Sequence, residues 1–296
     1  MTTLAPFEIH RPTSVSEATD LLRELGDEAV LYCGGTELLL LMKLGFAAYE
    51  HLIDVKRIDE LSRLEMIDHS LHIGAAVTHR SIERSELVTR GWPALSDMER
   101  RLANVRVRSV GTIGGNLSFA DPHSDPATFL LAADARVVIG SGDERRTMPI
   151  HQFVRGPYET ALAPTELLVA VEVPALPAGS SMAHVRFAFH ERPAATISCF
   201  ARVTDGRLAE TRIAVGSVGI VPVRAREAEA TLAGTAAGEL DEEVLSAAAQ
   251  AAADASDPVA DANGSVEYKH DLVRVLVGRC TRQAVDGALR HGMFPA

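Results

Sequence analysis

The most informative stretch of the sequence is AVLYCGGTELLLLMKL, residues 29–44. Residues 29–33 are largely apolar and predict a short strand, and residues 37–44 predict a helix. Glycines 34 and 35 lie between them. A strand that enters a helix through glycines exposes backbone N–H groups to a close-approaching anion, so a phosphate is one predicted ligand. A tight connection that binds nothing is the other interpretation.

A second glycine-rich segment is VGTIGGNLSFADPHSD, residues 110–125. We predict a second glycine turn here, with Thr112 and Asn116 beside the exposed backbone, and the same two interpretations apply to it. A dinucleotide pyrophosphate contains two phosphates, so two such turns in one domain favour a dinucleotide held from both sides. Neither segment matches the Rossmann or P-loop glycine pattern, and a different dinucleotide-binding fold is therefore predicted.

The titratable side chains near these turns give little indication of acid–base catalysis or metal binding. Asp125 could accept hydrogen bonds from ribose hydroxyls, could cap the helix predicted after it, or could do both. We interpret Glu37 as a helix-start charge and His79 as a surface histidine. His69 and His72 straddle a turn without an apparent third ligand, so no metal site is predicted.

The spacing of apolar residues in the rest of the chain predicts an α+β protein. The first part of the chain has predicted strands at 51–55, 71–73, 136–139 and 167–173, and predicted helices at 12–25, 78–101 (interrupted at 91–93) and 126–133. Residues 174–181, PALPAGSS, interrupt both the helical and the strand spacing of apolar residues and predict a linker. After it come two or three predicted strands within 183–218, then helices at 224–232, 242–253 and about 268–289.

Composition limits the possible partners and compartments. The 296 residues include 40 acidic and 29 basic ones, and no long basic stripe is present, which argues against nucleic acid. Cys33, Cys199 and Cys280 are far apart and predict free thiols rather than a zinc or iron–sulfur site. The N-terminus has no signal pattern, and the apolar run 38–42 is too short to span a bilayer. We therefore expect a cytoplasmic protein without a membrane span.

Taken together, these segments resemble the FAD-binding (medium) subunits of the xanthine dehydrogenase and carbon monoxide dehydrogenase family, the molybdenum hydroxylases. The resemblance extends over nearly the whole chain and is carried by residues 33–44, 51–55, 73–79, 110–125, 166–174 and 264–269. It implies an FAD-binding domain of the vanillyl-alcohol-oxidase (PCMH) type at 1–175, with lobes of about 1–56 and 57–175. At 180–292 it implies a CO-dehydrogenase-flavoprotein C-terminal domain, a small antiparallel sheet with helices.

The resemblance also implies the residues that bind FAD. The pyrophosphate would be lined by Tyr32, Cys33, Gly34, Gly35, Thr36, Glu37, Leu38, Thr112, Gly114, Gly115 and Asn116. The rest of the cofactor would be contacted by Leu102 near the flavin or adenine, Leu168 beside the isoalloxazine ring, Thr78 at the ring system, and Asp125 through a polar contact. The chain has Ala188 where the family often has a lysine ahead of Arg192, so contacts from the C-terminal domain to the flavin edge do not follow from the resemblance.

The function implied is electron transfer. In the family, a large molybdopterin-binding subunit hydroxylates the substrate, and the electrons pass through [2Fe-2S] clusters on a small subunit to FAD. The FAD-binding subunit then releases them to an external acceptor. We therefore expect a heterotrimer, with no catalytic residue, no metal and no iron–sulfur cluster on this chain. A free-standing flavin oxidoreductase is the alternative, but residues 175–296 offer few convergent polar side chains. A scaffold that has lost its flavin is a second alternative, against which both glycine segments argue.

Overall fold

The computed structural model describes residues 4–189, 191–238 and 240–293. The first lobe consists of β1 (Glu8–His10), α1 (Val15–Leu25), β2 (Ala29–Tyr32), α2 (Leu38–Leu44) and β3 (His51–Asp54). Its strands form a parallel sheet in the order β1-β3-β2. All three strands therefore end at the same edge of the sheet, which is where the first glycine loop follows β2.

The second lobe is built on an antiparallel sheet that carries a helical cluster. Its elements are β4 (Leu64–Ile67), β5 (Ser70–Gly74), α3 (His79–Arg84), α4 (Glu86–Gly91), α5 (Pro93–Arg101), α6 (Val105–Val110), α7 (Ile113–Phe119), α8 (Asp125–Ala132), β6 (Arg136–Ser141), β7 (Glu144–Pro149), α9 (Ile150–Phe153), β8 (Val154–Gly156), β9 (Glu159–Thr160) and β10 (Leu167–Pro174). The sheet order is β4-β5-β10-β6-β7. Central β10 is buried from residue 167 to 171, which explains its nearly continuous apolar sequence.

The C-terminal part of the chain forms a second antiparallel sheet and three helices. They are β11 (Ser180–Phe187), β12 (Ala195–Thr204), β13 (Arg207–Gly216), β14 (Val223–Arg224), α10 (Arg226–Leu232), α11 (Glu242–Ala255) and α12 (Val266–Met293). The strands follow the order β11-β12-β13-β14, and α12 packs across β11 and β12. Helix α11 packs on α10 and α12, and the small side chains of its buried alanines allow these helices to approach closely.

The two parts of the chain share a packed interface. Helix α8 lies against β12 and β13, and Met182, Phe200 and Ala214 join the core of the first two lobes. The hydroxyls of Thr128 and Thr196 hydrogen-bond across this interface at 3.0 Å. Because a shared core and buried polar contacts cross the boundary, we expect the two parts to hold a fixed relative position.

The α+β prediction is confirmed, and the errors fall on short or polar elements. The C-terminal sheet has four strands rather than two or three. The linker is shorter than predicted, because β11 begins at Ser180. The helical stretch from residue 78 is also broken at Ser85, whose hydroxyl caps α4 by accepting the Val88 N–H. Within the described residues, none of the helices combines the length and apolar character that crossing a membrane requires.

Candidate functional site

A large cleft lies where the two lobes meet the edge of the C-terminal domain. Its volume is about 810 Å³, within the range of cofactor pockets. The walls come from the β2–α2 loop, the segment joining α6 to α7, the start of α8, the beginning of β10, and residues 191–193. The cleft therefore gathers segments that are far apart in the chain.

The β2–α2 loop supplies free backbone donors to this cleft. Gly35 has a φ of +68°, a left-handed conformation that favours glycine. Within the described part of the chain, the N–H groups of Gly35, Thr36 and Glu37 have no hydrogen-bond partner. A Cβ atom on Gly34 would overlap the carbonyl oxygen of Val110 and lie 2.8 Å from the Gly111 Cα. The loop thus combines unpaired donors with backbone packing against the second glycine segment.

The second glycine segment is not the open turn that we predicted. Gly114 and Gly115 lie in the first turn of α7, which Thr112 caps by accepting the Gly115 N–H at 3.1 Å. The Gly114 N–H donates to the carbonyl oxygen of Ala75 at 2.9 Å, and a Cβ on Gly114 would overlap Ala75. The prediction was wrong because a glycine run also suits a helix that packs tightly on a neighbouring strand.

Fourteen of the fifteen residues predicted to bind FAD line the cleft. Leu102 and Leu168 are 7 % and 4 % exposed and form apolar parts of its wall. Thr78 is the residue that does not line it; its hydroxyl caps α3 by accepting the Ser81 N–H at 3.1 Å. The structure therefore brings the two glycine segments and the apolar residues together.

Asp125 lies in the cleft wall but does not cap the helix. Ser124 occupies the cap position, and Asp125 is in the first turn of α8, so that interpretation was wrong. The Asp125 carboxylate is 4 % exposed, 3.2 Å from His184 Nε2 and 3.5 Å from an Arg186 nitrogen. His184 Nδ1 in turn lies 2.8 Å from the Ser198 hydroxyl. Asp125 therefore connects the cleft to the C-terminal sheet.

His79 is buried in the wall of the cleft rather than exposed at the surface. Its ring is 2 % exposed, and its Nδ1 lies 2.8 Å from Oε2 of Glu99, which is itself fully buried. The Cβ position of Gly111 is 3.4 Å from the ring. The surface interpretation was wrong because Glu99 is twenty residues away on another helix, and no local pattern links the two.

Arg192 connects the C-terminal domain to two other segments of the cleft wall. Its guanidinium lies 2.5 Å from Asp121 and 3.2 Å from Glu37. Partial burial lowers the pKa of Arg192, but the carboxylates of Asp121 and Glu37 outweigh this and raise the net pKa. Despite Ala188, the C-terminal domain therefore reaches the cleft. The sequence marked Arg192 only as part of a departure from the family pattern.

The cysteines are free thiols. Burial raises the pKa of the Cys33 thiol, although a hydrogen bond with Thr112 opposes the shift. Burial raises the pKa of Cys199 to about 12. At neutral pH these groups are therefore protonated, and Cys33 presents an uncharged thiol to the cleft.

Comparison with known proteins identifies the family. Residues 5–176 match the FAD binding domain in molybdopterin dehydrogenase, and residues 186–284 match the CO dehydrogenase flavoprotein C-terminal domain. The chain belongs to the family of molybdopterin dehydrogenase flavoproteins. Its first two lobes are thus an FAD-binding domain, which confirms the predicted cofactor and fold.

Individual relatives of this flavoprotein cover nearly its full length. The carbon monoxide dehydrogenase medium chain of Hydrogenophaga pseudoflava is 34% identical over 280 residues, 94% of this chain and 96% of the relative. The subunit alpha of the 6-hydroxypseudooxynicotine dehydrogenase complex of Paenarthrobacter nicotinovorans is 31% identical over 93% of each chain. The solved structure of carbon monoxide dehydrogenase from Hydrogenophaga pseudoflava superposes with a TM-score of 0.92, covering 97% of this chain and 99% of the other.

Proposed function

We propose that this flavoprotein is the electron-transfer subunit of a molybdenum hydroxylase. It takes electrons from [2Fe-2S] clusters on a small partner subunit and passes them to an external acceptor, while a large molybdopterin-binding subunit hydroxylates the substrate. The main support is a cofactor-sized cleft with unpaired loop amides, in a chain that matches a carbon monoxide dehydrogenase medium chain over 94% of its length.

The chain's own residues bind and enclose the cofactor. The amides of Gly35, Thr36 and Glu37 donate to the phosphates, and the apolar side chains of Leu102 and Leu168 exclude water from the ring system. Bound FAD supplies the capacity to accept and release electrons. We assign FAD contacts to the fourteen cleft residues Tyr32, Cys33, Gly34, Gly35, Thr36, Glu37, Leu38, Leu102, Thr112, Gly114, Gly115, Asn116, Asp125 and Leu168.

The charged groups of the cleft favour electron transfer over acid–base chemistry on a substrate. Glu37 and Asp121 pair with Arg192, and Asp125 pairs with Arg186 and His184. Glu166 accepts two hydrogen bonds of 2.7 Å from Arg146. These bonds are the main reason why the pKa of Glu166 is lowered. A general base needs a carboxylate that can reach the reacting proton, so paired carboxylates disfavour a free-standing flavin oxidoreductase.

We further propose domain boundaries at 1–175 and 180–292. Two hydrophobic clusters support this division: one is built around the sheet containing β10, and the other between β11–β13 and helices α10–α12. The first two lobes, about 1–56 and 57–175, share one of these clusters, and the cleft opens between them.

The test is to purify the protein from its source at native expression and to identify its cofactor and co-eluting chains. We expect the visible spectrum of an oxidised flavin, together with a large molybdenum subunit and a small iron–sulfur subunit. Anaerobic addition of substrate should bleach the flavin only in the complete complex. A yellow chain that turns over a substrate unaided would instead establish the free-standing enzyme, and a colourless chain eluting alone would establish a scaffold.

An exposed apolar patch at the C-terminal end of α2 gives this proposal a specific interface. The patch consists of Leu40, Leu44 and Phe46, which are 48 %, 59 % and 78 % exposed. Leu40 also lines the cleft, so the patch continues from the cofactor site to the surface. Electrons must enter near the flavin, and apolar side chains at such a place are typical of a protein interface. We therefore assign the patch to the small iron–sulfur subunit.

Replacing Leu44 and Phe46 by glutamate is expected to release the iron–sulfur subunit while FAD stays bound. Two charges in an apolar contact would remain unpaired, and we expect at least about tenfold weaker association, equivalent to roughly 1.4 kcal/mol. Co-purification and native mass measure the result. Val275→Glu, at a 51 % exposed position on α12, is the control. An intact double-variant complex would remove this patch from the interface.

Replacing Arg192 by alanine is expected to accelerate FAD release. The change removes the ion pairs that connect residues 191–193 to Glu37 and Asp121. Because the Arg192 side chain is 49 % exposed, the effect should be modest, about two- to fivefold for roughly 0.5–1 kcal/mol. Flavin fluorescence after dilution measures the rate, and Arg90→Ala, which breaks an exposed pair with Glu86 elsewhere, should leave it unchanged.

A further inference from the structure

Three metal-ligating side chains lie together on one face of the parallel sheet. Glu8 and His10 are two residues apart on β1, so their side chains are on the same face. His51, the first residue of β3, is the register partner of Glu8 on the neighbouring strand. The three side chains are thus brought together by strands that are some forty residues apart in the sequence, which is why no local motif indicated them.

The distances between the potential ligand atoms suit a small transition ion. His10 Nε2 lies 3.1 Å from His51 Nδ1, and His51 Nδ1 lies 3.8 Å from Glu8 Oε2. One ligand atom from each residue lies within 4.8 Å of those of the other two. In a tetrahedral zinc site with bonds of about 2.0–2.1 Å, ligand atoms are about 3.3–3.5 Å apart, so small side-chain rotations are sufficient.

Two further carboxylates surround His51. Glu28 and Glu50 form a second three-ligand group with it, again within 4.8 Å. Backbone hydrogen bonds fix these positions, since the Glu50 N–H donates to the Glu28 carbonyl and the Glu8 N–H donates to the Glu50 carbonyl. Among the described residues, both three-ligand groups of this kind contain His51. His51 is therefore the common ligand of the cluster, and the surrounding acidic groups favour a cation.

We propose that Glu8, His10 and His51 bind a divalent transition ion, with Zn²⁺ as the best match. Two imidazoles and a carboxylate are a ligand set that zinc accepts, with water in the fourth position. The sequence predicts no metal site, since neither the three cysteines nor His69 and His72 form a ligand set.

The ion would stabilise the first lobe and would not touch the flavin. β1 is a three-residue edge strand, and a metal bridge to β3 adds a connection at its exposed end. Glu8, His10 and His51 are not among the residues that line the cleft, so the ion would bind outside the FAD site.

Calorimetric titration of chelator-treated, FAD-loaded protein with zinc chloride tests the proposal. We expect one ion per chain and a higher melting temperature with zinc. His51→Asn and His10→Asn should each weaken zinc binding by at least roughly 10- to 100-fold, because losing even a group that only hydrogen-bonds to a metal ligand has an effect of that size. The flavin spectrum should stay unchanged, which separates this result from failure of the FAD assignment.

A matched control uses the other histidine pair of the chain. The double variant with His69→Asn and His72→Asn, at the β4–β5 hairpin, should bind zinc as the wild type does. X-ray absorption of the wild-type zinc complex should show two histidine ligands, and this measurement needs no variant to fold. Absence of stoichiometric zinc binding, or binding that survives both His10→Asn and His51→Asn, would overturn the proposal.

Discussion

Replacing Gly34 by alanine is expected to weaken FAD binding by about 10- to 100-fold, equivalent to roughly 1.4–2.7 kcal/mol. The added Cβ would overlap the Val110 carbonyl oxygen, and its other near neighbour, the Gly111 Cα, is also backbone. Neither can rotate away as a side chain could, so the two glycine segments must move apart. Overpacking of this kind costs about 1–3 kcal/mol, and the displacement falls on the loop whose amides we assign to the phosphates.

Gly91→Ala is the matched control for this variant. Gly91 is the last residue of α4, and a Cβ there would meet no atom within 4 Å. Its melting temperature and FAD affinity should therefore equal or exceed those of the wild type. Titration of the apoprotein with FAD, followed by flavin fluorescence quenching, measures both variants. Unchanged affinity in Gly34→Ala would show that the spacing of the two segments does not control cofactor binding.

The two glycine segments also show how far sequence reasoning reaches. Both were found from local patterns, since a strand, two glycines and a helix occur in consecutive residues at 29–44. The conformation of the second segment could not be found from a local pattern, because the partner that requires Gly114 to be small is Ala75, which is thirty-nine residues earlier. Close approach between distant backbones leaves the same glycine signature as an anion-binding turn.

The charge pairs in the cleft could likewise not be predicted from the sequence. Arg192 pairs with Glu37 over 155 positions, and Asp125 meets His184 over 59. Such pairs depend on how α8 and β11 pack at the domain interface, which no periodicity predicts. The apolar residues Leu102 and Leu168 line the cleft, and only the family resemblance pointed to them. Local structure and family motifs were therefore predictable, and charge pairing was not.

Replacing Lys269 by alanine is expected to lower the melting temperature by about 5 °C, from roughly 3 kcal/mol of lost stability. Lys269 is 1 % exposed at the start of α12. Its ammonium donates to the carbonyls of Val259 at 2.8 Å and Val218 at 3.4 Å, and lies 2.9 Å from Asp261. Alanine would leave all three acceptors without this partner and would also open a cavity.

Two further variants separate the charge of Lys269 from its volume. Lys269→Met keeps most of the side-chain stem and removes the charge, so it should recover the packing part of the loss. Arg226→Ala removes a 71 % exposed cation that pairs with Glu229 at 3.6 Å, and should shift the melting temperature little. Calorimetry measures all three. A Lys269→Ala melting temperature equal to that of Arg226→Ala would contradict a stabilising role.

The same ion pair makes part of the stability of the protein dependent on pH. Burial raises the pKa of Asp261, but bonds from Lys269 and the Asn263 N–H outweigh this and lower the net pKa. A carboxyl whose pKa is lowered by folding stabilises the fold above its unfolded pKa, about 3.9, and loses that contribution as pH falls through the folded value. The stability difference between wild type and Lys269→Ala should therefore be constant above about pH 5 and should shrink below about pH 4. Asp261 also lies 3.3 Å from His123 of the FAD-binding domain, so its protonation would loosen the contact between the two domains as well.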